Sequence, residues 1–448
     1  MTFLRALLLF LVLLAIGLAV AWKQERPRLD AYLDSDTFRK KIAESTSKGL
    51  KVEGDFAPLH HQGCDVWTDF FHSKGRPGEA IASLDAETVT ARFNPWGVLL
   101  RRWQVDRITI AHATLTLRPP DPKKKVPLNA GHRPWYVWLM PQKFYLKEVL
   151  TPDAQVLWDV DGKMSGLRHV PMRVTPYGEK DWRFTGNGGT FELPQLPLQR
   201  VADLSFIVTK PYLIVERATL TPMKEDDPGW LKVRGFAGMQ PEDEHVEAQA
   251  TFADLPLKSW VYPPWRDRLR GGRISGNLMW NGPRALQGGW GKGDFAVSDV
   301  IFGNTLALRF LALLSHNKEW ANLRLREAQA SWEWRDPVFN VDGIVTEAPG
   351  LCRLEGEFRV EKGRLTGIIR LGVEPKSLAW LPKDGQSLFT RDPERSADYR
   401  WAVAHLSGTA EKPIDDLTPK LRHAIVTSPG TLLKLGVDGA AATFGAGG

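Results

Sequence analysis

The stretch Leu351–Val373, LCRLEGEFRVEKGRLTGIIRLGV, decides the fold class of this chain. Leu354, Phe358 and Val360 alternate with charged residues and share one face of an extended strand, because successive strand side chains point to opposite faces. Glu361-Lys362-Gly363 turns the chain, and Leu365, Ile369, Leu371 and Val373 return with the same period. Two alternating runs joined by a short turn form a β-hairpin.

The same grammar fills the sequence upstream. Ile108 and Ile110 share a face, and Ala113, Leu115 and Leu117 share the next after a one-residue parity change around His112, the mark of a turn or bulge. Leu204, Phe206 and Val208 follow, then Leu213 and Val215, Ile274, Leu278 and Trp280, and Ala328, Ala330, Trp332 and Trp334. Gly, Pro, Asn and Asp separate the runs. Helical candidates are few: NTLALRFLALLSH (Asn304 to His316) and the short aromatic turn SWVYPPW (Ser259 to Trp265). Strands without crossover helices pair mainly antiparallel, so the expected class is mainly β. A second sheet, a closed barrel or a bound apolar ligand would each cover the apolar faces, and periodicity does not choose among them.

The N-terminus carries a different signal. Ala6 to Trp22, ALLLFLVLLAIGLAVAW, is uncharged, follows Arg5 and is closed by Lys23. At about 1.5 Å per helical residue it nearly spans a hydrocarbon core, which predicts a transmembrane anchor over 1–22 with Leu7, Leu8, Phe10, Leu11, Leu14, Ile16, Leu18 and Trp22 facing lipid. Ala19-Val20-Ala21 also has the form of a signal-peptide cleavage site, and either outcome exports the rest. Leu29, Leu33, Phe38 and Ile42 predict an amphipathic helix within 23–49, with Ser35 and Asp36 as available caps. Leu50, Val52 and Phe56 then open the first strand of a β-rich body over 50–342. Hairpins occupy 343–412, and Leu417, Leu421 and Ile425 predict a helix ahead of a flexible tail in 413–448.

Composition excludes several functions. The net charge of +7 is thinly spread, and only Lys123, Lys124 and Lys125 form a run, so no nucleic-acid stripe exists. Eighteen Trp, mostly in the body, suit strand-end packing, a lipid interface or a groove. Cys64 and Cys352 lack framework spacing. His60, His61 and Cys64 are soft ligands without a second pair at zinc-site distance, so no metal is expected. Glu225-Asp226-Asp227 reads as a solvated turn, and Asp159 and Asp161 would project from one strand face without further acids. GGWGKGDF (Gly288 to Phe295) lacks phosphate-loop order and reads as a strand-to-strand turn. No catalytic constellation and no cofactor motif emerges, and a non-enzymatic protein is expected.

Two blocks resemble the ends of the AsmA-like family of bacterial envelope proteins. One runs from the anchor through GLKVEGDFAPL (Gly49 to Leu59) and Ala82 to Leu117, with Leu84, Ala86 and Val89 in an L-x-A-x-x-V phrase. The other is Gly343 to Pro382 followed by HLSGTAEKP (His405 to Pro413). The resemblance implies an inner-membrane, single-pass anchor and a periplasmic body built as a long, curled, mostly antiparallel sheet forming an elongated groove. It further implies phospholipid as partner and a role in lipid transport or outer-membrane biogenesis. Ile108, Ile110, Leu115, Phe206, Leu278, Trp332, Phe358 and Leu371 are the candidate groove residues. The alternative is an anchored periplasmic scaffold, or outer-membrane assembly factor, that binds envelope proteins.

Overall fold

A computed structural model describes residues 34–94, 102–118, 143–178, 181–194, 196–239, 244–261, 263–283, 287–303, 308–309, 311–312 and 315–427. The expected anchor over 1–22, the lysine run and the C-terminal tail after 427 lie outside these residues. Among the described residues, no helix is long and apolar enough to cross a membrane. The chain is mainly β and divides into two compact units, 1–210 and 211–448, a boundary inside the stretch expected as one β-rich body.

The first unit opens with α1 (Asp36–Leu50), where Ser35 accepts from the Phe38 N–H as N-cap and Lys51, at φ 57°, ends the helix. Strands β1 (Val52–Phe56), β2 (His60–Gln62), β3 (Asp65–Gly75), β4 (Ile81–Phe93) and β5 (Arg102–Leu117) follow, then β6 (Lys143–Leu146) and β7 (Val149–Val160). They continue through β8 (Lys163–Tyr177), β9 (Asp181–Gly186), β10 (Thr190–Glu192) and β11 (Gln199–Val208). β1 and β2 both pair with β3, which pairs in turn with β4, and β4 with β5. β5 then pairs in parallel with β6 and β7, against the antiparallel rule. The segment between β5 and β6 is long enough for the crossover such a pairing needs.

The parity change expected near His112 spans three strands. Thr68 and Phe71 are buried around exposed Asp69 and Phe70 on β3, while Thr88 takes φ 50° on β4. The β3–β4 and β4–β5 registers nevertheless continue unchanged through this point. Each strand switches faces at the same level, so a shared bulge line keeps Val52, Phe71, Ala86, Leu84, Val89 and Ile110 in one apolar cluster.

The second unit is a meander of eleven antiparallel strands in which each pairs with the next. They are β12 (Tyr212–Pro222), β13 (Trp230–Gly238), β14 (His245–Pro256), β15 (Leu269–Pro283), β16 (Trp290–Gly303) and β17 (Asn322–Arg335). The remainder are β18 (Val338–Ala348), β19 (Cys352–Glu361), β20 (Arg364–Val373), β21 (Arg400–Gly408) and β22 (Pro413–Asp415). The hairpin that opened the sequence argument is β19–β20, with Glu361 opposite Arg364 and Lys362 and Gly363 at φ 49° and 78°. Both turn residues have the left-handed conformation that matches a two-residue turn to strand twist. Short helices α2 (Leu257–Trp260), α3 (Lys383–Ser387) and α4 (Leu417–Val426) complete the unit. Of the expected helix from 304 to 316, residues 308–309 and 311–312 are helical.

Two local expectations are corrected. Gly288 to Phe295 is not simply a turn: Trp290 begins β16, and Gly291 and Gly293 lie inside it, opposite Trp280 and Leu278 of β15. Asp161 does not share a strand face with Asp159; it sits in the two-residue turn at φ 52°, and Asp159 accepts from the Gly162 N–H at 2.9 Å.

Candidate functional site

Register aligns the apolar positions of neighbouring strands in the second unit. Leu231 of β13 faces Phe252 of β14, Ala250 faces Leu278 of β15, and Ile274 faces Val297 of β16. Phe302 faces Leu323 of β17, Trp332 faces Val341 of β18, Phe339 faces Val360 of β19, and Leu354 faces Leu371 of β20. Ile369 faces Ala404 of β21. Directly opposed residues share a sheet face, so the regularly paired positions of one face from β13 to β20 carry no charged side chain, and at its end Arg400 of β21 stands opposite Val373. Lys232, Arg234, Glu247, Asp294, Glu333, Arg353, Arg359 and Arg370 belong to the other.

Helices cover part of this face. Leu308, Trp320, Leu378, Leu381, Phe389, Leu417 and Ile425 bury the ends of β17 to β21 around Leu323, Ala348, Val373, Ala402 and Ala404. Leu257 of α2 packs on Val297 and Val300. Away from these, aromatic rings line the sheet: Trp280 and Trp334 have centroids 5.0 Å apart, Trp332 and Phe339 6.1 Å, and Phe339 and Phe358 6.4 Å. Gly291 and Gly293 make room beneath them. A Cβ on Gly291 would stand 3.1 Å from Trp280, and one on Gly293 would stand 3.0 Å from Trp332 Nε1.

All eight sequence-proposed groove residues lie on apolar faces, each within its own unit. Leu278, Trp332, Phe358 and Leu371 share the second unit's face. Ile108, Ile110 and Leu115 of β5 stand opposite Ala91, Val89 and Leu84, and Phe206 of β11 faces Phe184 of β9, its ring centroid 4.7 Å away. All eight are half-buried. Residues sealed inside a filled sandwich would be buried, and residues on an uncovered flat sheet would be exposed. Sequence reasoning missed Phe295 and Val297, because the glycines ahead of them read as a turn, and it left Trp334 out of the groove set although it read that residue on the strand face of Trp332.

Several charges on the polar sides are paired. In the first unit Glu148 accepts from Arg107 Nε at 2.7 Å and from Arg173 Nη2 at 2.7 Å. These hydrogen bonds hold its carboxyl below the ordinary value against the opposing effect of burial. Burial would raise Asp153, but hydrogen bonds from His112 and His169 outweigh it and lower its pKa. In the second unit Asp227 is lowered by Arg273 and by the Gly229 N–H, so of the expected solvated turn Glu225 and Asp226 are exposed while Asp227 is a half-buried anchor. Glu347 joins Arg353 and the Tyr399 hydroxyl, and Arg353 reaches Glu355, which pairs with Arg395. Burial and that hydrogen bond push Tyr399 up to about 12. Among the described residues, no three His, Cys, Asp or Glu side chains are grouped to hold a metal. Both cysteines are free.

No family model, curated protein or solved structure matches this chain.

Proposed function

We propose that this is a membrane-anchored periplasmic protein of the AsmA-like kind, whose apolar sheet faces hold phospholipid acyl chains out of water during envelope biogenesis. The observation that carries the proposal is the apolar face that runs from β13 to β20 in the second unit, with half-buried aromatics along it. Each methylene removed from water contributes roughly 0.8 kcal/mol, so a face several strands wide supplies enough contact for an acyl chain without bond chemistry. Indole rings suit this task because they combine a large apolar surface with an N–H that tolerates a polar boundary.

Native mass spectrometry of the full chain after gentle detergent extraction tests the proposal. Bound phospholipid masses that persist through purification are expected. A lipid-free protein would favour the anchored scaffold.

A further inference from the structure

A second feature lies on the polar face of the second unit, at the end of the sheet that the helices cover. Arg270 of β15 stands opposite Ile301 of β16, and Ile301 stands opposite Arg324 of β17, so the two guanidiniums flank one isoleucine. With strands about 4.8 Å apart, their backbones are roughly 10 Å apart, a span that two long side chains close around a small anion. Arg326 follows on the same side of β17. Arg324 and Arg326 line a concave depression of about 600 Å³ with Asp299, Val300, Ile301, Leu325 and Pro349. It opens where Asp299 takes φ 53°, at the level where the β16–β17 pairing skips a residue.

The three arginines are exposed. Unlike Arg273, Arg353 and Arg395 in the same unit, they have no carboxylate partner among the described residues. Ordinary surface arginines face solvent singly; here Arg324 and Arg326 share one hollow with a single acid in its lining, and Arg270 stands across Ile301 from Arg324. Guanidinium is weakly hydrated and offers forked donors that match phosphate oxygens.

We propose that this depression is a phosphate-binding site, with Arg324, Arg326 and Arg270 as donors and Asp299 limiting its affinity. It is independent of whether the apolar face holds lipid. The phosphate belongs either to a phospholipid headgroup or to a free anion, and two titrations separate these sources.

The full chain in neutral detergent is titrated calorimetrically with inorganic phosphate and, separately, with short-chain phosphatidic acid below its micelle concentration. Saturable binding of at least one is expected, weakened about tenfold or more in an Arg324→Gln/Arg326→Gln variant, as the loss of charge-assisted hydrogen bonds predicts. Because neither arginine has a carboxylate partner among the described residues, that variant should melt with the wild type, which separates lost binding from misfolding. Asp299→Asn, which suits a left-handed backbone, should tighten binding. Arg359→Gln, on the same face but paired with Glu361, should leave it unchanged. Stronger binding of phosphatidic acid assigns the site to lipid headgroups, and equal binding assigns it to free phosphate. No binding of either ligand, or binding indifferent to the double substitution, overturns the proposal.

Discussion

Trp332 and Gly291 share one space: a Cβ on Gly291 would stand 3.3 Å from Trp332 Cη2, closer than carbon atoms ordinarily pack. The glycine lies inside β16 because indoles from both neighbouring strands lean over it. Replacing it with valine favours the strand locally but displaces the rings. Gly291→Val is expected to destabilise the protein by about 1–3 kcal/mol and to red-shift tryptophan emission, whereas Lys292→Thr on the opposite face stays within about 0.5 kcal/mol. Denaturant melts followed by fluorescence check both.

Glu148 links Arg107 and Arg173 across three strands, and its carboxyl lies below its ordinary value in the folded state. A lowered folded pKa means that the unfolded chain binds more protons. The contribution is therefore fully present above the unfolded value, near pH 4.3, and is lost as pH falls through the folded one. Asp153 and Asp227 act in the same direction. The melting temperature should fall as pH drops below about 4. In Glu148→Gln it should start lower at pH 7 and depend less on pH between about 5 and 3. Thermal melts across that range decide.

The two cysteines should react at different rates. Cys64 is exposed, whereas burial, with the Glu347 charge adding to it, pushes the Cys352 thiol up to about 11. Thiolate is the reactive form. Maleimide at neutral pH should label Cys64 first and reach Cys352 only slowly or after unfolding, as read by peptide mass spectrometry. Equal rates in the folded protein would contradict the packing around β19.

The sequence 6–22 carries the membrane proposal. Deleting residues 1–22 while supplying a cleavable export signal should move the body from the membrane pellet to the soluble periplasmic fraction. Continued pelleting after a high-salt wash would mean that the body holds the membrane by itself.

The β19–β20 hairpin was legible because Leu354, Phe358 and Val360 alternate with charges around a two-residue turn. Strand alternation is a local property that a single chain segment carries. The helix cap at Ser35 and the parity change near His112 were legible for the same reason. The parallel pairing of β5 with β7 was not, because it depends on contact between segments about 40 residues apart. Nor was the strand character of Gly291 and Gly293, whose missing side chains are replaced by indoles from β15 and β17. The apolar positions were readable one strand at a time, but their alignment into one face depends on register, which bulges at Asp254 and Gly343 shift.

The claim that the apolar face holds acyl chains is tested most directly on one strand. Asn277 and Leu278 are neighbours on β15 that point to opposite faces, Asn277 donating to Asp294 and Leu278 facing Ala250. A photoreactive benzophenone residue placed at each position in turn, in cells carrying the full chain, reports what touches that face. The account predicts phospholipid adducts at position 278 and none at 277. Protein adducts alone at 278, or equal lipid labelling at both positions, would contradict it.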